Sequence, residues 1–296
     1  MTGGLRALAP GKVNLALFVG APRADGLHPL ASVVQAVTLA DELTLRPAVD
    51  GAGVDEVVCP GVEGPNLAAR ALAAFRARTG WDAPPQRLEI VKRVPVAAGM
   101  GGGSGDAAAT LRLAAAAAGG GVDPAVLHEL AVGLGADVPS QVRPGRVLML
   151  GAGEHVEQLP DPAPFALVIV PLDATLSTPA VYRAFDAGTR PRTREELGSL
   201  AVELRGRPLV HNDLEDAARE LCGLIDPALA AVRRTGAAHA LVSGSGPTVF
   251  GIYDEPADAV AAARTLAAAH PRTVAVEPAG PAFAQPHPAA VEASAA

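Results

Sequence analysis

Lysine is nearly absent from this sequence. Of its 24 basic residues only Lys12 and Lys92 are lysine, and the rest are arginine. A lysine kept against that bias marks either drift or a position that needs a compact ammonium rather than a planar guanidinium. Cysteine is equally sparse. Cys59 and Cys222 sit in no CxxC or ligand-spaced pattern, which excludes a disulfide framework and leads us to expect a reduced, cytoplasmic protein. No apolar run approaches the ~20 residues that span a bilayer, and the positive mean hydropathy comes from alanine. Nor is there an excess of positive charge: 24 basic against 31 acidic side chains give a formal charge of -7. That excludes a broad surface for nucleic acid or anionic lipid, so any bound anion is held locally. The N-terminal apolar stretch is interrupted by Lys12 and Asn14 and reads as no export signal.

What is present is enough for two cores, since about half of the 296 residues are hydrophobic. Leu5 to Leu45 reads as strands joined by turns at Pro10-Gly11, Pro22 and Asp25-Gly26. Asn66 opens a helix with Leu67, Ala71, Ala74 and Phe75 on one face, and Gly80 stops it. Leu88 and Ile90 alternate with Arg87 and Glu89 in a half-buried strand that leads into a glycine-rich run. A helix is predicted over Ala107 to Ala118, and another after Asp123-Pro124 that ends at Gly135. Pro160-Asp161-Pro162-Ala163-Pro164 is taken as the domain boundary. Beyond it lie a strand from Phe165 to Val170, helices near Leu214 to Leu224 and Pro227 to Thr235, and two strands flanking Ser243-Gly244-Ser245-Gly246-Pro247. A helix over Ala257 to Ala269, a last strand over Arg272 to Val276 and a tail without periodicity complete the chain.

The most specific motif is Pro95-Val96-Ala97-Ala98-Gly99-Met100-Gly101-Gly102-Gly103-Ser104-Gly105-Asp106, between a strand and a helix. So many glycines give up backbone entropy where positive φ or an unobstructed approach of N–H groups to a ligand is needed. Ahead of a helix, such N–H groups converge on an anion, and phosphate is the natural guest. A flexible loop before a helix capped by Ser104 or Asp106 is the plainer alternative. The run lacks the Lys-Ser/Thr ending of a Walker loop and the spacing of a dinucleotide fingerprint. It is no hydrolase elbow either, because Asp106 replaces the last glycine of GxSxG. Lys12 and Asn14 share one face of a strand that is otherwise apolar, as a site or as an edge-strand polar face. His28 beside its turn decides nothing alone. Asp137, in Gly135-Ala136-Asp137-Val138-Pro139, reads equally as a helix N-cap and as a catalytic carboxylate.

In order, Pro10 to Leu15, Ala24 to His28, Pro95 to Ala108, Gly135 to Pro139 and Ser243 to Phe250 resemble the GHMP kinase superfamily, and the resemblance covers nearly the whole chain. The lysine-x-asparagine strand, the Asp-Gly-x-His turn and the Gly-Ala-Asp-Val-Pro turn are similar to one branch of it. That branch phosphorylates a hydroxyl of a cytidine-diphosphate alcohol on the non-mevalonate route to isoprenoid precursors. The homoserine or mevalonate type, and a non-catalytic nucleotide-binding relative, are the competing readings. The resemblance implies an α+β, two-domain fold with mixed sheets, helices packed in both halves and the active site in the cleft between them. Residues 1–160 would form the N-terminal domain, 161–280 the C-terminal domain and 281–296 a disordered tail.

The resemblance further implies ATP and Mg²⁺ as cofactors, with no metal ligand identified, and a small-molecule substrate. Neither nucleic acid nor membrane is implied as a partner, and the protein would be a monomer or homodimer. Asp137 would take the proton of the attacking hydroxyl while Lys12 holds both groups. Pro95, Val96, Ala97, Ala98, Gly99, Met100, Gly101, Gly102, Gly103, Ser104 and Gly105 would hold the ATP phosphates, with Lys92 adding charge and Asn66 facing adenine. Asn14 and His28 would read substrate hydroxyl and cytosine, Tyr182 would lie against the base, and Gly244 and Ser245 would close the site. Two positions depart from the pattern. Leu27 stands where an aromatic residue is usual, at an expected loss of ~1 to 3 kcal/mol of base stacking. Gly105 replaces a small hydroxyl residue or alanine and is expected to loosen the helix start.

Overall fold

Two long strands organise the first half of the molecule. In the computed structural model, which describes residues 4–48, 53–161 and 163–289, β1 (Leu5–Val19) and β2 (Leu30–Pro47) form an antiparallel pair around the Asp25-Gly26 turn. Pro10-Gly11 does not end β1. The strand continues through register shifts between Pro10 and Lys12 and between Asn14 and Ala16, where its pairing with β2 slips. On the far edge of β2, β4 (Gln86–Val91) covers its second half and itself pairs with β3 (Glu56–Val58). Next to the first half of β2 lies β5 (Arg146–Gly151), followed by β6 (His155–Gln158).

Two helices of this half begin where a side chain caps them. Asn66 Oδ1 accepts from the Ala68 N–H to cap α1 (Leu67–Thr79), and Gly80, at φ 67°, closes it with an N–H bond to Arg76 O. Asp123 caps α3 (Pro124–Leu134) in the same way. Between them, α2 (Gly102–Ala117) starts five residues before the alanine run predicts, at 102 rather than 107. Of the glycines in that run only Gly99 and Gly101 take positive φ, at 78° and 65°, and the later ones are helical. The short α4 (Val138–Val142) follows Asp137. Leu72 and Phe75 of α1, Ala108 and Leu111 of α2, Leu134 of α3 and Val138 of α4 share one core. A second core joins α1 and α2 to the sheet through Ala68, Ala109 and Leu113 packed on Ala9, Leu43 and Leu88.

The second half is built on a smaller antiparallel sheet. After β7 (Ala166–Val170) come α5 (Thr178–Gly188), α6 (Arg194–Gly206), β8 (His211–Asn212), α7 (Glu215–Leu221) and α8 (Ile225–Arg234). Then follow β9 (His239–Val242), β10 (Val249–Tyr253), α9 (Pro256–Leu266) and β11 (Val274–Val276). The order is β11-β7-β10-β9. Leu167, Ile169, Leu241 and Phe250 on this sheet pack against Val13, Phe18, Val33 and Leu148 on the larger one, so the two sheets share a core. Ser177 precedes α5, with Pro179 in the helix's first turn.

Segments of the second half return to the first sheet. β8 pairs in parallel with β1 at Ala16 and Leu17, and β12 (His287–Pro288) pairs with Leu5 and Arg6. The tail read as structureless from Pro281 is therefore ordered as far as it is described, through a 3-10 turn at Pro281–Ala284 and then β12. Composition misled here because tertiary partners supply what local periodicity lacks: Ala284 is buried and the Ala289 N–H donates to Gly4 O. Residues 290–296 lie outside the described residues.

Candidate active site

Lys12 and Asn14 lie between the two register shifts of β1, and such irregularities re-aim side chains. Neither is an edge-strand polar face, because both are buried, Lys12 at 4% exposure and Asn14 at 5%. The Lys12 N–H donates to Met100 O at 2.9 Å, tying the strand to the glycine run. Its Nζ donates to Asn14 Oδ1 at 2.8 Å and lies 3.4 Å from Asp137 Oδ2. Asn14 Nδ2 donates in turn to Ser32 Oγ (2.9 Å), which donates to Ala16 O (2.7 Å). A buried ammonium is thus held by a relay of neutral partners on one side and faces a single carboxylate on the other.

Asp137 precedes α4 but its side chain makes no capping bond. The carboxylate points to Lys12 instead. Its loop is pinned from behind by Gly153, at φ 105°, where an added Cβ would lie 2.3 Å from Ala136 O. No motif in the sequence singled out Gly153.

The glycine run forms one wall of a cleft of about 860 Å³ that contains Lys12 and Asp137. A Cβ at Gly101 would meet Lys12 Cε at 3.1 Å, and one at Gly99 would meet Ser243 O at 2.4 Å, so glycine is required where the loop crosses the lysine and the second glycine turn. At the start of α2 the backbone ladder first closes with Gly105 N–H to Gly101 O, and no side chain caps the helix. The N–H groups of Gly102, Gly103 and Ser104 therefore have no intrahelical acceptor, which suits an anion. Pro95, Val96, Ala97, Ala98, Gly99, Gly101, Gly102, Gly103 and Ser104 line the cleft. Met100 and Gly105 do not. Met100 is buried in the core between the sheets. Gly105 is buried against β1, where a Cβ would approach Pro10 O to 3.1 Å, so its missing side chain lets α2 sit close to the strand instead of loosening it.

Lys92 and Asn66 also line the cleft, each already engaged. Asn66 Oδ1 is taken by its cap, and Lys92 Nζ donates to Asp41 Oδ2 (2.5 Å) and Asp106 Oδ2 (2.7 Å). Burial pushes the Asp106 carboxyl up to about 7, against the pull of Lys92 and with the help of Asp41. Burial opposes the Lys92 ammonium too, yet the two carboxylates hold it above the ordinary lysine range. Because Asp106 binds its proton more tightly folded than its ordinary value of 3.8 allows, it makes the fold less stable as pH rises from about 4 through 7. Asp106→Asn is expected to leave Tm unchanged at about pH 3.5, where the carboxyl is mostly protonated in the folded and the unfolded chain alike. At pH 8 the variant should melt higher than the parent by on the order of 1 kcal/mol of stability. Thermal melts at the two pH values check this.

Across the cleft, the second glycine turn approaches the lysine. A Cβ at Gly244 (φ 57°) would lie 3.0 Å from Asn14 Oδ1 and 3.4 Å from Lys12 Nζ. Gly244→Ala is expected to lower kcat by about 10- to 100-fold by displacing that pair, as steady-state kinetics would show. The turn is held by Asn212, whose Nδ2 donates to Val242 O (2.9 Å) and Gly244 O (2.8 Å). Ser245 Oγ contacts Thr178 Oγ1 at 3.0 Å, linking the turn to α5. From α5, Tyr182 lies on the His28 ring with centroids 4.8 Å apart. Burial, with Asp137 nearby, pushes the Tyr182 phenol up to about 12, so it remains a donor. His28 Nδ1 donates to Gly20 O (2.8 Å), and its Nε2 lies 3.5 Å from Asp186 Oδ2. Leu27 is 51% exposed and lines the cleft.

The same constellation can be set beside known proteins. Residues 66–145 match the model for the GHMP kinases N terminal domain, and residues 183–272 that for GHMP kinases C terminal. A 4-diphosphocytidyl-2-C-methyl-D-erythritol kinase of Rhizobium meliloti (strain 1021) is 39% identical over 275 residues, covering 89% of this chain and 91% of its own. One from Streptomyces coelicolor is 40% identical over 261 residues, covering 81% and 84%. A crystal structure of 4-(cytidine 5'-diphospho)-2C-methyl-D-erythritol kinase superposes with a TM-score of 0.76 at 34% identity, over 93% of this chain and 100% of that one. Homoserine kinase from Cytophaga hutchinsonii, at 19% identity and a TM-score of 0.67 over 97% and 98% of the two chains, shares the fold. Both halves of the chain carry this likeness, and its sequence identity to relatives of one name extends across nearly its full length: the chain belongs to the GHMP kinases and, among them, to the 4-diphosphocytidyl-2-C-methyl-D-erythritol kinases.

Proposed function

We propose that this chain transfers the γ-phosphoryl group of ATP to the 2-hydroxyl of 4-diphosphocytidyl-2-C-methyl-D-erythritol. The observation that carries the reading is the Lys12–Asp137 pair, 3.4 Å apart in a cleft with an uncapped helix start on its wall. Asp137 accepts the proton of the attacking hydroxyl, and the oxygen forms its bond to phosphorus as the bond to the ADP oxygen breaks. Lys12 hydrogen-bonds the hydroxyl oxygen and keeps the carboxylate beside it; positioning and charge stabilisation supply most of the catalysis in phosphoryl transfer. The open N–H groups of Gly102 to Ser104 receive the phosphates.

Among the described residues no three of His, Cys, Asp and Glu converge on a metal position. The Ser104 hydroxyl on the cleft wall would hold a magnesium ion brought by the nucleotide, which when bound would supply neutralisation of charge on the transferring group. His28 and Tyr182 hold the cytosine, and Asn14 orients the substrate hydroxyl. A cytoplasmic setting agrees with two free thiols, Cys59 and Cys222, and no helix among the described residues is long and apolar enough to cross a membrane.

The test is a steady-state assay of the purified chain with ATP and Mg²⁺, offering the cytidylyl alcohol, homoserine or mevalonate. ADP release with the first alone is expected. Turnover of either of the others without the first would place the chain's activity elsewhere in the superfamily.

A further inference from the structure

Arg112 of α2 has no part in the cleft, yet it touches three separate segments through the main chain. Its Nη2 donates to Leu8 O on β1 (2.9 Å), its Nη1 to Gln141 O on α4, and its Nε to Ala284 O in the 3-10 turn (3.1 Å). Leu8 lies four residues before Lys12 on one strand, and Gln141 four residues after Asp137 at the end of one short helix. One planar guanidinium therefore spans the two elements that carry the ammonium and the carboxylate.

Several features distinguish this arrangement from an ordinary surface arginine. Desolvation pulls the guanidinium down to about 10, and among the described residues no carboxylate offsets it. A desolvated cation without a counter-ion depends on the carbonyls around it, and the rigid fork fixes the angles at which they are held. On the α4 side the anchor is the main chain alone, since Gln141 Oε1 and Nε2 are both buried without a hydrogen-bond partner. On the third side the carbonyl comes from a segment that lies beyond both regions matched by the family models. That segment is tied to the first sheet by Thr38 N–H to Glu277 O, Ala279 N–H to Ala36 O and the pairing of β12 with Leu5 and Arg6.

We propose that Arg112 is a positioning residue for phosphoryl transfer, setting the separation of Lys12 and Asp137 by tying β1 and α4 to the returning C-terminal segment. The proposal rests on the reading of those two residues as the reacting pair. It makes the Pro281–Ala284 turn a functional part of an active site whose chemistry lies elsewhere in the chain.

The experiment compares the full-length parent with Arg112→Met, Arg112→Lys and a chain ending at Gly280, each assayed well below its own Tm, and repeats Arg112→Met in the Asp137→Asn background. Arg112→Met is expected to lose about 30- to 100-fold in kcat with both KM values within about twofold, because a misplacement of ~1 Å costs turnover rather than binding. Arg112→Lys should recover part of the loss, and the shortened chain should fall between parent and Arg112→Met. With Asp137 already replaced, Arg112→Met should change the residual rate by less than about threefold, since the coupled partner is gone. Unchanged kcat in the folded variants, or an equal fall in the Asp137→Asn background, overturns the proposal. If Arg112→Met does not fold, the lysine variant and the shortened chain decide the question by the same criteria. A parent inactive on the cytidylyl alcohol counts against the substrate reading alone. The proposal then stands or falls on crystal structures of the parent and the lysine variant, where an equal Lys12–Asp137 distance in the two refutes it and a wider one in the variant supports it.

Discussion

Asp137→Asn is expected to lower kcat by about 10³-fold while ATP binding stays within about threefold of the parent. The amide is nearly isosteric with the carboxylate, so the space beside Lys12 is filled as before, and no capping bond of α4 is lost because Asp137 makes none. What disappears is the acceptor for the hydroxyl proton. The uncapped start of α2 is untouched, which is why the nucleotide still binds. Single-turnover kinetics and calorimetric titration of an ATP analogue separate the two effects. A variant with near-parental kcat would show that the hydroxyl loses its proton to another acceptor, and one that no longer binds ATP would show that Asp137 supports the loop instead of the chemistry.

Lys12→Arg is expected to cost about 10²-fold or more in kcat although the charge is kept. The reason is space. Gly101 and Gly244 have no side chains where a Cβ would come within 3.1 Å of Lys12 Cε and 3.4 Å of its Nζ, so the backbone already closes on the ammonium from two directions. A guanidinium is longer and planar, and it cannot donate to Asn14 Oδ1 while facing Asp137 without moving one of those glycine turns. Lys12→Met, which keeps most of the length and removes the charge, should be at least as damaging. Comparing the two variants by kcat and by Tm distinguishes the ammonium's chemistry from its packing. An arginine variant with near-parental kcat would mean that the glycine turns yield easily and that only the charge matters.

Much of this is legible in the chain before it folds. Lysine scarcity pointed to Lys12, and both lysines of the chain do line one cleft. The caps at Asn66 and Asp123 and the stop at Gly80 followed from side-chain chemistry within a few residues, which is why α1 and α3 begin where expected. Legibility ended where a partner was distant in the chain. Asp41 is an inconspicuous aspartate in a strand until Lys92 and the N–H of Val94 are folded against it. Ser32 and Asn212 matter because Asn14 and Gly244 sit beside them, and Asp186 because His28 does. Lys92 in the same way meets Asp41 and Asp106, acids that its own stretch of sequence does not announce.

The amino-acid sequence by itself determined the local elements and their caps and the glycine run ahead of a helix, each a short-range matter of backbone freedom or residue chemistry. The proposal of Lys12 and Asp137 as a reacting pair came from the resemblance to the GHMP kinases. Tertiary structure alone decided that Asp137 turns to Lys12 instead of capping α4, that Gly105 brings α2 onto β1, and that the last described residues return to the first sheet. Those outcomes depend on contacts between segments more than a hundred residues apart in two of the three cases, and on the close packing of a helix against a strand in the other. Nothing within a local window of sequence encodes such distances, because they arise only when buried polar groups must find partners in a common core.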